Sequence, residues 1–143
     1  MLLKQLAVFL ENKSGSLVDV LSVLYDEGIK LLSTVVTGTS DFGVLYLIVD
    51  DPGKGQKALR DQGFSCRISD VVVIRVDDNG GILAVLRKLN EDGLNVEYMY
   101  TFTERTLGKT WMAFRCIDTE KALKTIHLLP GVQTEEIKDS ALC

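Results

Sequence analysis

The first half of the chain is repeated in its second half. Glu11-Asn12-Lys13-Ser14-Gly15-Ser16-Leu17 precedes an apolar helix pattern ending in Glu27-Gly28-Ile29, and Val76-Asp77-Asp78-Asn79-Gly80-Gly81-Ile82 precedes one ending in Asp92-Gly93-Leu94. Gly15 and Gly80, Leu21 and Leu86, Leu24 and Leu89, Gly28 and Gly93, and Gly43 and Gly108 each stand 65 residues apart. One residue then drops out, and Lys57-Ala58-Leu59 matches Lys121-Ala122-Leu123 at 64. Self-similarity of this length implies two copies of one small unit, residues 1–69 and 70–143.

Each copy lies near the lower size limit for folding alone. The 46% hydrophobic content and the mean hydropathy of +0.15 predict that the units bury surface against each other or against a second chain, as in a homodimer. The net charge is −4, and the basic residues are scattered singly. No basic stripe offers itself to nucleic acid or to an anionic membrane. No apolar run approaches the roughly 20 residues of a membrane span, and Lys4 and Gln5 interrupt the first run where a secretion signal would continue. A cytoplasmic protein is the expectation. Cys66, Cys116 and Cys143 are odd in number and far apart, which predicts reduced thiols rather than a disulfide framework or a metal site, with Cys66 and Cys116 in the core.

Hydrophobic spacing predicts the element order. Leu3 to Leu10 reads as a strand, and Leu17, Val20, Leu21, Leu24 and Gly28 have the spacing of an amphipathic helix that Ser14 or Ser16 can cap and Gly28 can close. Ile29 to Val36 and Val44 to Val49 read as a hairpin around the turn-rich residues 37–43. Asp51-Pro52-Gly53 opens a weaker helix over Gln56 to Gln62, Gly63 closes it, and a strand from Phe64 to Ile68 completes the copy. In the second copy the strands are Val71 to Val76, Asn95 to Phe102, Lys109 to Cys116 and Val132 to Ile137, and the helices are Ile82 to Glu91 and Thr119 to Leu128. Only Ser69-Asp70 is left as a linker, which predicts a shared interface or a continuous sheet. The fold class is α+β: two ferredoxin-like β-α-β-β-α-β sandwiches in tandem, antiparallel sheets with the helices on one face. Leu45, Leu47 and Val49 alternate with Tyr46 and Ile48, and Met112 and Phe114 with Trp111 and Ala113. Strands apolar on both sides predict that the other sheet face is covered as well.

Each copy has one short polar loop ahead of its first helix, Asn12-Lys13-Ser14-Gly15-Ser16 and Asp77-Asp78-Asn79-Gly80-Gly81. Glycine permits close approach of a ligand, and the N–H groups and positive dipole end of the helix suit a carboxylate. Asn12 or Asp77 then stands where an α-ammonium group can be bonded. Together these are the minimal chemistry for a free amino acid. The loops admit a plainer reading too, in which Ser14 and Asn79 are ordinary N-caps and the glycines only permit the turn.

The pattern of apolar strand, Asn or Asp, two residues, Gly, one residue, Leu or Ile, helix, then Gly-Ile or Gly-Leu opening a strand resembles the ACT domain, and it occurs twice over nearly the whole chain. The resemblance implies a non-catalytic regulatory protein that binds a small ligand, most often an amino acid, and signals to a biosynthetic enzyme or within a homodimer. It places Asn12, Gly15 and Leu17, and Asp77, Gly80 and Ile82, at ligand-loop positions. It also implies that strand two of a neighbouring unit approaches the ligand, through Leu32 to Val35 and through Tyr98, Met99, Tyr100 and Thr101. Many members carry proline before the loop glycine and an aliphatic residue after it, where this chain has Ser14 and Ser16, and Asn79 and Gly81.

Other constellations carry less. His127 is the only histidine and has no nucleophile or carboxylate in motif spacing. Asp50-Asp51 and Asp77-Asp78 lack the further oxygens of a calcium loop. Tyr98, Tyr100 and Phe102 alternate on one strand face, but the acidic balance argues for core packing or a subunit contact over RNA stacking. No cofactor or metal is expected. The competing function classes are a structural adaptor without a ligand and a small enzyme on a duplicated ferredoxin-like scaffold.

Overall fold

The computed structural model describes residues 1–103 and 108–134. Along the chain run β1 (Leu2–Glu11), α1 (Ser16–Asp26), β2 (Leu31–Gly38), β3 (Phe42–Val49), α2 (Pro52–Asp61), β4 (Ser65–Asp77), α3 (Gly81–Glu91), β5 (Val96–Thr103), β6 (Lys109–Cys116) and α4 (Thr119–His127). They fall into two units: Lys4–Ser69, and Asp70–Cys143 with Met1–Leu3. Among the described residues no helix is long and apolar enough to cross a membrane.

In the first unit β3 lies between β1 and β2, antiparallel to both. Leu6, Val8 and Leu10 of β1 and Leu45, Leu47 and Val49 of β3 share one sheet face and pack with Val20 and Leu24 of α1 and Leu59 of α2. The period-2 pattern of the strands meets the helical stripe there, which is the amphipathic logic read from the sequence.

In the second unit β6 lies between β4 and β5, again antiparallel. Val72, Ile74, Val76, Met112, Phe114 and Cys116 face Val85 and Leu89 of α3 and Ala122 and Ile126 of α4. Val73 exchanges backbone hydrogen bonds of 2.9 Å with Met1, and Arg75 does so with Gln133, also at 2.9 Å. Of the strand expected over Val132 to Ile137, the described part forms only this bridge at Gln133, and residues 135–137 lie outside the described residues, as does Cys143. On the sheet face turned from the helices Ile48 and the polar Gln5 are buried in the first unit, and Trp111 and Ala113 in the second.

Three expectations need correction. The expected linker Ser69-Asp70 lies inside β4, so the strands read over Phe64 to Ile68 and Val71 to Val76 are one element. No glycine or proline interrupts residues 64–77, and nothing there forces a turn. Second, α2 is regular helix already from Pro52, so the Asp51-Pro52-Gly53 opening read from the sequence is part of the helix whose bound was set at Gln56. Asp51 Oδ1 accepts from the Lys54 N–H at 3.1 Å, proline suits the first turn, and Gly55 packs where an added Cβ would stand 3.1 Å from Leu6 Cδ1. Glycines that weaken the helix signal are what allow this helix to reach the core.

Third, the repeat after the hairpin runs at 67 residues rather than 64. Asp51 and Asp118 occupy the same N-cap position and accept from the N–H of Lys54 and of Lys121. Core residues Leu45, Leu47 and Val49 correspond to Met112, Phe114 and Cys116. The second hairpin is thus longer by two residues, and the Lys-Ala-Leu match at 64 was coincidental in structural terms.

Cys66 and Cys116 are buried, as expected. Burial pushes the Cys66 thiol up to about 11, against the opposing pull of the Arg60 guanidinium. Burial also raises the Cys116 thiol, with the Glu97 carboxylate adding to the effect.

Two outcomes follow from this packing. An alanine Cβ at position 81 would stand 2.8 Å from Val76 Cβ, so Gly81→Ala should lower stability by about 1–3 kcal/mol in thermal or urea melts, whereas Ser16→Ala at the equivalent position should be far milder. Folding favours the protonated Cys66 thiol, since the unfolded thiol ionises near 9.0 and the folded one near 11. Stability present below pH 9 should therefore fall as pH rises toward about 11, and Cys66→Ala should flatten part of that decline in urea melts across the range.

Candidate functional site

The helices that follow the two polar loops start differently from the other two. α1 opens after Gly15 at φ 91° and α3 after Gly80 at φ 86°, and neither has a side-chain cap. α2 and α4 are capped by Asp51 and Asp118. Ser14, Ser16 and Asn79 are therefore not the caps that the plainer sequence reading allowed. A glycine in the left-handed region occupies the N-cap position itself and brings no side chain to it. The first i to i−4 bond of α1 runs from the Asp19 N–H to the Gly15 carbonyl at 2.9 Å. The Leu17 and Val18 N–H groups precede it, at the positive end of the helix.

A cavity of about 260 Å³ lies at this end of α1. Glu11, Asn12, Lys13, Ser16 and Leu17 line it from the loop side, above Leu10. Ser14 and Gly15 shape the turn without lining the cavity. The opposite wall is the β2–β3 hairpin of the same unit, from Val36 to Thr39 with Phe42 and Gly43. Leu32 to Val35, expected to reach a ligand of a neighbouring unit, directly precede this wall in β2.

Asn12 ties the loop to this hairpin. Its backbone N–H donates to the Asp41 carbonyl at 2.8 Å, and its Nδ2 donates to the Thr39 carbonyl at 2.9 Å. With the amide N–H engaged, its oxygen is the side chain's acceptor. Lys13 and Glu11 form an exposed ion pair at 3.1 Å, an arrangement that contributes little to stability. Leu17, Val36 and Phe42 are 41%, 54% and 67% exposed, so apolar surface is left in water around the cavity. On the other side of the hairpin a groove runs past Phe9, Phe42 and Val44, where the Arg67 guanidinium lies 5.8 Å from the centre of the Phe9 ring.

The second loop is built from the same backbone with other chemistry. The Asp77 carboxylate pairs with Lys109 Nζ and lies against Gly131, where an added Cβ would stand 2.8 Å from Asp77 Oδ2. Gly81 serves the close approach of α3 to Val76, and Ile82 packs on the second core. Asn79 and Gly80 are exposed. Of the β5 residues, Tyr98 and Tyr100 are half-buried, and the Tyr100, Phe102 and Trp111 rings form a row with successive centres 6.4 Å and 6.1 Å apart. Met99 stands opposite Phe114.

Sequence reasoning missed the hairpin wall, Val36 to Thr39 with Phe42 and Gly43, and the contribution of Glu11. Residues 37–43 had a visible turn signal, but only the β1–β3 register, with Glu11 opposite Phe42, brings that turn to the loop.

The family model described as an ACT domain pair matches residues 1–140. Comparison with curated proteins gives no match. Among solved structures, a protein of Bacteroides thetaiotaomicron is 38% identical, covering 89% of this chain and 88% of its own, with a TM-score of 0.82. The regulatory subunit of aspartate kinase from Thermus thermophilus, in its ligand-free form, is 15% identical over 87% of this chain and 90% of its own, with a TM-score of 0.63. A structure of aspartokinase alpha and beta subunits is 18% identical over 88% and 94%, with a TM-score of 0.54. At those last two identities the likeness is one of fold. The whole-length family match and the duplicated strand, glycine loop and helix agree: this chain belongs to the ACT domain family, as a pair of ACT domains.

Proposed function

We propose that the chain is a regulatory protein that binds a free amino acid at the α1 entrance of its first unit and passes the signal to an enzyme of amino-acid metabolism, working as a homodimer. ACT domains are regulatory, non-catalytic modules, and the likeness to a regulatory subunit of aspartate kinase supports a partner of that kind. The observation that carries the reading is the uncapped end of α1, which faces the same cavity as Asn12.

The α-carboxylate of the ligand takes the first-turn N–H groups of α1 and the Lys13 ammonium, which can leave its exposed partner Glu11 at little cost. The α-ammonium group takes the Asn12 amide oxygen. Because Asn12 also holds the hairpin at Thr39 and Asp41, a ligand at this point links loop, helix and hairpin. It stabilises the packing in which all three are in register, and a partner that contacts the hairpin senses the shift in population.

The second loop serves as scaffold in this proposal, since Asp77 is engaged by Lys109 and Gly81 by Val76. An adaptor without any ligand is the alternative, favoured by the existing bonds of Asn12 and tested by the same measurements.

A thermal-shift and calorimetric screen of the twenty amino acids should give one or a few hits. A Kd of about 10 µM at about 1 mM ligand implies stabilisation of roughly 2.7 kcal/mol. Asn12→Ala should weaken the hit by about tenfold or more, the scale of one charge-assisted hydrogen bond. Asp77→Ala should leave affinity unchanged and cost under about 1 kcal/mol of stability. A silent screen would leave the adaptor, and an affinity that moved with Asp77 rather than Asn12 would transfer the site to the second loop.

A further inference from the structure

We infer that the cavity of the first unit selects amino acids with an uncharged aliphatic side chain, an inference that rests on the amino-acid reading above. Glu11 and Lys13 are the charged residues of its lining, and they pair with each other at 3.1 Å. Their charges balance each other and serve the zwitterionic end of the ligand. Thr39 Oγ1 is turned to its own hairpin, within 3.4 Å of the N–H groups of Asp41 and Phe42. An ionised ligand side chain laid against the Leu17 and Val36 wall would give up part of its hydration with no opposite charge on that wall to meet it, which is unfavourable.

The apolar side of the cavity is specific to this unit. Val36 stands opposite Leu45 in the β2–β3 register, and Leu45 belongs to the helix-side core, which puts Val36 on the face that α1 covers. Leu17 of α1 lines the same cavity, over Leu10. Val36 is 54% exposed and Leu17 41%. Two neighbouring apolar side chains left in water at a cavity favour an occupant that buries them. In the second unit the position opposite the equivalent core residue Met112 is Thr101, which gives no such wall. Val36 and Leu17 therefore act as specificity-determining residues, distinct from Asn12 and the helix end, which take the part common to all amino acids.

The test is calorimetry on the full chain with L-leucine, L-isoleucine, L-valine, L-serine, L-aspartate and L-lysine, and with Val36→Thr and Leu17→Ser. Branched aliphatic amino acids should bind at least about tenfold tighter than the other three, and Val36→Thr should weaken leucine by about tenfold, the scale of a lost apolar contact in a pocket. Thermal melts should show Val36→Thr folded, since the position is half exposed. Leu17→Ser should weaken leucine in the same direction. If aspartate, lysine or serine bound as tightly as leucine and still required Asn12, the proposed function would stand and this inference would be overturned. Aliphatic binding untouched by both substitutions would also overturn it. If no amino acid bound at all, the proposed function would fail, and the inference with it.

Discussion

A glycine held in the left-handed region governs how the first helix of each unit leaves its strand. With Gly15 at φ 91° and Gly80 at φ 86°, the chain turns into the helix at a residue without a side chain. The ends of α1 and α3 are left uncapped while α2 and α4 receive an aspartate each. An L-residue with a Cβ pays a steric penalty in that conformation. The uncapped end of α1 and the chemistry proposed for it descend from this backbone requirement.

Duplication gave the chain two such entrances, and the side chains around them have since diverged. In the first unit Asn12 bonds the hairpin through backbone and amide, Ser16 lines a cavity, and Leu17 and Val36 are left partly in water. In the second, Asp77 pairs with its cross-strand neighbour Lys109, and Gly81 brings α3 hard against Val76. A small unit gains stability from each such contact, and a loop that commits its polar groups to its own fold has fewer left for a ligand. The same backbone therefore carries different side-chain partners in the two copies.

Much of the fold was legible because the patterns that encode it are local. The i, i+3, i+4, i+7 series from Leu17 and the strand alternation from Val44 gave α1 and β3 within a few residues, and the spaced glycines gave the duplication. What misled was also local. Asp51-Pro52-Gly53 marked where α2 opens, but Gly53 and Gly55 weakened the helix signal across its first turn, where close packing of Gly55 on Leu6 outweighs its low helix propensity. Lys57-Ala58-Leu59 and Lys121-Ala122-Leu123 match as letters, yet the buried pairs Gly55 with Leu59 and Ala122 with Ile126 show which residues are equivalent.

For the site, the sequence by itself determined the loop, the helix that follows it and the glycine that joins them, since all are contiguous and follow from backbone preferences. It also determined that two copies exist and that their loops differ in charge. Only the tertiary structure decided which residues face the loop. Strand register carries the hairpin at residues 38–43 to Glu11 and Asn12, and it is register, set by the summed burial of β1, β2 and β3 against two helices, that no short stretch of sequence contains. The same long-range packing decided that Asp77 meets Lys109, 32 residues away, a contact that neither loop sequence contains.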